Sequence, residues 1–198
     1  MNEKISSTNK VIALDIGGVC IQLHHELAAL SWGIRSLAEL PPPFLRACAQ
    51  LECGAISDGE WLSVCRETMP ERNDADDGEI YAAFNSVVGT DIPGMAALAR
   101  RLVDDGWRLI YFSNTSRMHA LEVARNLSFA PLVTGAVYSY DAGCMKPDPR
   151  IYEIFEQNYG VPAFYFDDRA ENIEAGLKRN WNSRLFTGVA DAEAFIYD

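Results

Sequence analysis

Four places along the chain carry polar residues whose types suit phosphoryl chemistry. The apolar run Val11–Leu14 meets Asp15, followed by Ile16, Gly17 and Gly18. Arg108–Phe112 runs into Ser113, Asn114 and Thr115. Lys146 stands in Gly143-Cys144-Met145-Lys146-Pro147, and Ala163–Phe166 runs into Asp167 and Asp168. Three carboxylates gathered in one crevice repel and raise one another's pKa values unless a cation sits among them. Oxygen ligands with open positions suit Mg²⁺, which binds through one or two carboxylates plus substrate oxygens. A hydroxyl, a side-chain amide and a lysine make a phosphate cradle. A carboxylate not consumed by structure can attack phosphorus and form an aspartyl phosphate. Catalysis then rests mainly on positioning and charge neutralisation.

Residues so far apart in sequence converge only if the fold brings strand ends together. Val11–Asp15 reads as a buried strand meeting a glycine loop. From about residue 93 strands alternate with helices. Gly94–Asp105 is an amphipathic helix with Gly106 as its C′ residue. Arg108–Phe112 is a strand and Met118–Asn126 a helix. Gly135–Tyr138 is a strand, Pro149–Asn158 a helix, Ala163–Asp167 a strand, Ala170–Lys178 a helix and Ser183–Thr187 a final strand. This alternation predicts an α/β fold with a parallel, doubly wound sheet and functional groups at the carboxyl ends of its strands. Residues 20–92 show no second strand signal of comparable strength and read as helices over His24–Trp32, Pro43–Leu51, Ser57–Met69 and Asp76–Val88. Ser57 and Glu60 have capping-box spacing. The expected organisation is a core of residues 10–19 and 93–198 with a helical cap, 20–92, inserted after the first strand.

The 198 residues suit one core with a modest insertion, and 48% hydrophobic residues suffice to fill it. A net charge of −11 argues against broad nucleic-acid or anionic-membrane binding. The polar start MNEKISSTNK and the short apolar run after it do not make a signal peptide, and no stretch is long enough to span a bilayer. Five cysteines, an odd number without a C-x-x-C pair, point to a reducing cytoplasm rather than a disulfide or zinc framework. Cys20 and Cys144 read as packing residues, Trp32 and Trp61 as cap core, and Glu71–Glu79 as a solvated loop and helix start.

The ordered set of motifs resembles the haloacid dehalogenase-like (HAD) superfamily over nearly the whole chain. Phe-Ser-Asn-Thr-Ser-Arg-Met-His, Met-Lys-Pro-Asp-Pro-Arg-Ile-Tyr and Phe-Asp-Asp-Arg-Ala-Glu-Asn-Ile are similar to the branch holding α-glucose-1-phosphate phosphatases and the phosphatase-like N-terminal domains of epoxide hydrolases. The cap stretch Glu52–Asp58 is similar too. The resemblance implies a Rossmann-like core and a Mg²⁺-dependent phosphatase of small phosphorylated metabolites, sugar phosphates among them; a monomer is the expected state, although no sequence feature discloses it. It implies that Asp15 is the nucleophile and a Mg²⁺ ligand, and that Gly17 offers its carbonyl to the metal. Ser113, with Asn114 beside it, binds the phosphoryl group. Lys146 neutralises phosphate and nucleophile. Asp168 ligates Mg²⁺ directly, and Asp167 directly or through water.

One position departs from the common pattern. Many superfamily phosphatases carry a second Asp two residues after the nucleophile as general acid and base, and this chain has Gly17 there. A backbone carbonyl survives the change, whereas glycine has no proton to give. His24 or His25 is the substitute that sequence proximity offers. Two other functions stay open. A metal-independent 2-haloacid dehalogenase also lacks the second acid, with Arg46 as a halide or carboxylate contact, although adjacent Asp167 and Asp168 speak for a metal. A catalytically silent binding or regulatory protein would explain Gly17, but not retention of the other residues.

Overall fold

A computed structural model describes residues 9–69 and 74–198. The N-terminal residues 1–8 and the part of the expected solvated loop at 70–73 lie outside the described residues. The central strand β1 (Val11–Leu14) is buried along its whole length. It is flanked by β4 (Arg108–Ser113) and β6 (Phe164–Asp167), with β5 (Val133–Tyr138) and β7 (Ser183–Leu185) outside them, and all neighbours in the order β5-β4-β1-β6-β7 are parallel. The chain winds outward from β1 to β4 and β5, then crosses back to β6 and β7. Winding reverses beside β1, where an open α/β sheet leaves a crevice at its carboxyl edge.

The two-residue period of a strand explains the continuous apolar runs. Ile12, Leu14, Leu109 and Tyr111 face one core layer, shared with α5 (Met95–Asp104), α6 (Arg117–Asn126) and α10 (Val189–Tyr197). Val11, Ala13, Ile110 and Phe112 face the other, under α8 (Pro149–Tyr159) and α9 (Ala170–Lys178). In that layer the Phe112 ring meets Tyr152, Phe155, Tyr165 and Trp181 at centroid distances of 5.0, 5.1, 5.4 and 5.6 Å. Such aromatic pairs add about 0.5–1.5 kcal/mol each beyond area burial. They stiffen the strand that ends in Ser113.

The segment between β1 and α5 holds α1 (His25–Ser31), α2 (Pro42–Glu52), α3 (Asp58–Thr68) and α4 (Asp77–Asn85) around its own apolar cluster of Trp32, Phe44, Trp61, Ile80 and Phe84. Met118 of α6 joins this cluster from the sheet side. Both Ser57 and Asp76 make reciprocal capping boxes, with Glu60 and Glu79. Two strands absent from the sequence reading frame the helices. β2 (Ile21–Leu23) pairs antiparallel with β3 (Val88–Asp91), so the helix expected to reach Val88 stops at Asn85. Strands of three and four residues carry too little pattern to register alone, and pairing across some 65 residues is what stabilises them. The C-terminal helix α10 was also not expected. Its Arg101–Glu193 and Arg184–Asp191 ion pairs tie it to α5 and β7.

Candidate active site

The fold gathers the expected residues at the carboxyl edge of the sheet. Asp15 is the first residue past β1, and its N–H donates to the Phe166 carbonyl at 2.9 Å. Ser113 closes β4 and Asp167 closes β6. Lys146 comes from the loop between α7 (Ser139–Ala142) and α8. Its Nζ donates to Asp15 Oδ1 at 3.0 Å, to Asp167 Oδ2 at 2.5 Å and to the Phe112 carbonyl at 2.6 Å. All three donor positions of the ammonium are used, in a site where the lysine side chain is 1% exposed. Burial works against the charged amine, but the Asp15 and Asp167 carboxylates outweigh it and its pKa rises.

The loop that holds Lys146 is fixed by Asn114. Its Nδ2 donates to the Lys146 carbonyl at 2.9 Å and its Oδ1 accepts from the Lys146 N–H at 2.7 Å. The sequence reading assigned Asn114 to the phosphoryl group. The structure spends both ends of its amide on positioning the lysine, while Ser113, buried beside it, keeps its hydroxyl near Asp15.

Asp167 has an equally full set of partners. Oδ2 accepts from Lys146 Nζ and from Tyr165 Oη at 2.7 Å. Oδ1 accepts from the Arg169 N–H and from Asn172 Nδ2, both at 2.9 Å. Four donors fill the roughly four lone-pair positions of a carboxylate, so Asp167 is held in place by Lys146, Tyr165, Arg169 and Asn172 and contributes its charge to the cluster. Asn172 is buried and holds Asp167 through its Nδ2. Asp168 is exposed, with no such saturation. Partial desolvation at the cavity edge and then the Asp167 charge raise its pKa.

One carboxylate oxygen each from Asp15, Asp167 and Asp168 lie within 4.8 Å of one another. Asp15 is pushed up to about 6, first by burial, with Asp167 raising it and Lys146 and Ser113 pulling it down. Three acids against one lysine leave two uncompensated charges, the condition a divalent cation relieves. The Gly17 carbonyl accepts none of the hydrogen bonds of its turn, in which Ile21 N–H donates to Ile16 O at 3.0 Å and Gly18 N–H to Ile21 O at 2.9 Å. These hard oxygen donors fit Mg²⁺. Gly18 has φ +72°, and a Cβ there would lie 2.5 Å from Asp168 Oδ2, so only glycine lets Asp168 approach.

Above these groups opens a cavity of about 460 Å³. Asp15, Ser113, Lys146 and Asp168 line its floor, and Trp32, Leu40, Phe44 and Phe84 contribute to its walls. His25 lines it as well, whereas His24 packs near Gly89. Arg46, the candidate halide contact, is exposed and lies off the cavity, which removes that support for a dehalogenase. Two lining residues were missed as site candidates. His119 Nε2 sits 3.1 Å from the Phe84 carbonyl with its ring stacked on Phe84 at 4.1 Å, joining α6 to α4. A carbonyl only accepts, so Nε2 carries the proton, and burial lowers the imidazole pKa. The quoted motif ending in His119 was its one sequence signal. Glu52, at the end of α2, had no signal of its own beyond the similar cap stretch.

Comparison with solved structures places this architecture among known ones. A HAD family enzyme from Bacteroides thetaiotaomicron, in its magnesium complex, superposes with a TM-score of 0.82 at 21% identity, covering 96% of this chain and 99% of that one. An aspartate-to-alanine variant of that enzyme, in complex with magnesium and inorganic phosphate, gives 0.77 at 21% identity over 91% and 95%. The L-2-haloacid dehalogenase from Xanthobacter autotrophicus, with chloropropionic acid covalently bound, gives 0.64 at 15% identity over 94% and 81%. The family model for haloacid dehalogenase-like hydrolases matches residues 9–178, and the chain therefore belongs to that hydrolase family.

Proposed function

We propose that the protein is a Mg²⁺-dependent phosphatase of small phosphorylated metabolites. The observation that carries this reading is the convergence of three carboxylates within 4.8 Å beside a buried lysine. A metal-free dehalogenase has no use for that charge. The chain's likeness to an enzyme crystallised with magnesium and phosphate agrees with it. Residues 10–19 and 93–198 form the catalytic core in this reading, and 20–92 the cap, entered and left through β2 and β3. The five free cysteines accord with a reducing cytoplasm.

Asp15, the Gly17 carbonyl and Asp168 would hold Mg²⁺, with Asp167 adding its charge beside them. Bound there, Mg²⁺ supplies charge neutralisation at the phosphoryl oxygens. Lys146 fixes Asp15 Oδ1 and adds a positive charge beside it. An Asp15 oxygen attacks phosphorus, the bond to the leaving alkoxide breaks, and an aspartyl phosphate forms. Water then cleaves the acyl phosphate, releasing phosphate and restoring the carboxylate. Ser113 donates to the phosphoryl group. Gly17 gives no proton, so protonation of the leaving oxygen falls to water or to another group.

Asp15→Asn should abolish Mg²⁺-dependent phosphate release from an aryl phosphate while the fold persists. Wild-type protein that releases no phosphate from a broad ester panel with Mg²⁺ would refute the proposal.

A further inference from the structure

Glu52 is the feature of this cavity that the phosphoryl chemistry leaves unused. It is the last residue of α2, and Phe44, Cys48 and Glu52 all line the cavity. Their spacing of four residues puts them on one face of the helix, spread over about 12 Å at 1.5 Å per residue. The first is an aromatic wall, and the Cys48 Sγ accepts from Trp61 Nε1 at 3.4 Å. The carboxyl of Glu52 has no hydrogen bond or ion pair among the described residues.

The fold holds this acid in an unfavourable place. It lies at a helix C-terminus, where the dipole repels negative charge. Burial pushes its pKa up to about 7, and no charged neighbour contributes. It lines the same cavity as Asp15, Ser113 and Lys146 but belongs to α2 rather than to a strand end. Its backbone is nevertheless fixed firmly. The Ser139 hydroxyl donates to the Glu52 carbonyl at 2.6 Å and accepts from the Thr115 N–H at 2.9 Å. One buried hydroxyl thus ties the end of α2 to the loop that carries Ser113 and Asn114. Two residues on, Gly54 has φ +68° and meets the Tyr140 carbonyl so closely that a Cβ has no room. An acid on a rigid support with no protein partner among the described residues, in a chamber to whose walls Trp32, Leu40, Phe44 and Phe84 contribute, is placed to receive a donor from a ligand.

We infer that Glu52 is the specificity-determining residue of the chamber, and that it pairs with a hydrogen-bond donor on an otherwise apolar leaving group of the phosphate ester. This rests on the phosphatase reading and narrows its substrate class. An alcohol with an apolar body and a hydroxyl turned toward Glu52 matches the aromatic and aliphatic part of these walls.

The test compares n-alkyl phosphonates with ω-hydroxyalkyl phosphonates of increasing chain length, bound to the Mg²⁺-loaded protein and followed by calorimetry. Hydrolysis of the matching phosphate esters is measured in parallel. At one chain length the hydroxyl should improve affinity and kcat/KM about tenfold, the worth of one good hydrogen bond. Glu52→Leu should erase that preference and leave the alkyl series at least as well bound, and Glu52→Gln should retain part of it. Equal binding of the two series at every length by wild type, or a preference that survives Glu52→Leu, overturns the assignment. If Glu52→Leu does not fold, the wild-type and Glu52→Gln comparison decides. Glu52-dependent binding without hydrolysis of any ester supports the chamber reading and refutes the phosphatase. Failure of every phosphonate to bind overturns the Glu52 assignment, and ester hydrolysis then judges the phosphatase reading separately.

Discussion

Replacing Lys146 by Met keeps most of the side-chain volume and removes one charge from the centre of the site. The ammonium it deletes serves Asp15 Oδ1, Asp167 Oδ2 and the Phe112 carbonyl. Asp167 keeps three donors, from Tyr165, Arg169 and Asn172. Asp15 loses the partner that does most to lower its pKa. Breaking a buried pair by removing one side costs about 3–5 kcal/mol. At roughly 2–4 °C per kcal/mol for a chain of this size, Tm should fall by about 6–20 °C. The loss should depend on pH. Asp15 already has a folded-state pKa of about 6, above the ordinary 3.8, so its protonated form favours folding and that stability is lost as pH rises through 6. Without Lys146 the folded-state value rises further, and at low pH the carboxyl neutralises itself. Calorimetric unfolding in EDTA should show a large deficit at pH 8 and a smaller one at pH 5. Mg²⁺ should stabilise the variant at pH 8, because a cation then replaces the missing charge. A deficit equal at the two pH values, or larger at pH 5, would refute the charge argument.

Further outcomes follow from the same geometry. Glu52→Gln should gain stability on wild type as pH rises from 5 to 8, by at most about 3 kcal/mol, since a shift from 4.5 to about 7 is lost as stability on ionisation. Denaturant titrations at both pH values check this, and a gain confined to pH 5 contradicts it. Gly18→Ala should cost about 1–2 kcal/mol through its positive φ and should weaken Mg²⁺ binding by displacing Asp168. Calorimetric Mg²⁺ titration with unchanged affinity would count against Asp168 as a ligand. Asn114→Ala should reduce kcat more than it raises KM, because it loosens the loop of Lys146 rather than a substrate contact. A pure KM effect would return Asn114 to the phosphate cradle.

The strands that end in Asp15, Ser113 and Asp167 were legible because fully buried parallel strands are written as continuous apolar runs, each stopped by a polar residue. The amphipathic helices that cover them were legible by their period, and Ser57 by its capping box. The β2–β3 pair was not, because Ile21–Leu23 is short and acquires its strand conformation from Val88–Asp91, far along the chain. Helix α4 was overextended for the same reason: the pairing of β3 ends what local propensity would continue. Helix α10 follows Gly188 after a short final strand and carries few polar landmarks, so its ion pairs to Arg101 and Arg184 were the missing information.

The sequence by itself determined which side chains could do chemistry and that an alternating α/β chain would bring them to one edge of a sheet, because residue type and local periodicity are properties of the chain. The division of labour among those side chains belongs to the tertiary structure. Asp167 and Asp168 are neighbours of identical type, yet one is saturated by four donors and the other is open. Asn114 turns to Lys146 across 32 residues. Glu52 becomes an unpaired acid in a chamber because Ser139 holds its carbonyl across 87 residues. Donor saturation, burial and pKa are set by neighbours distant in sequence, and no local pattern records them.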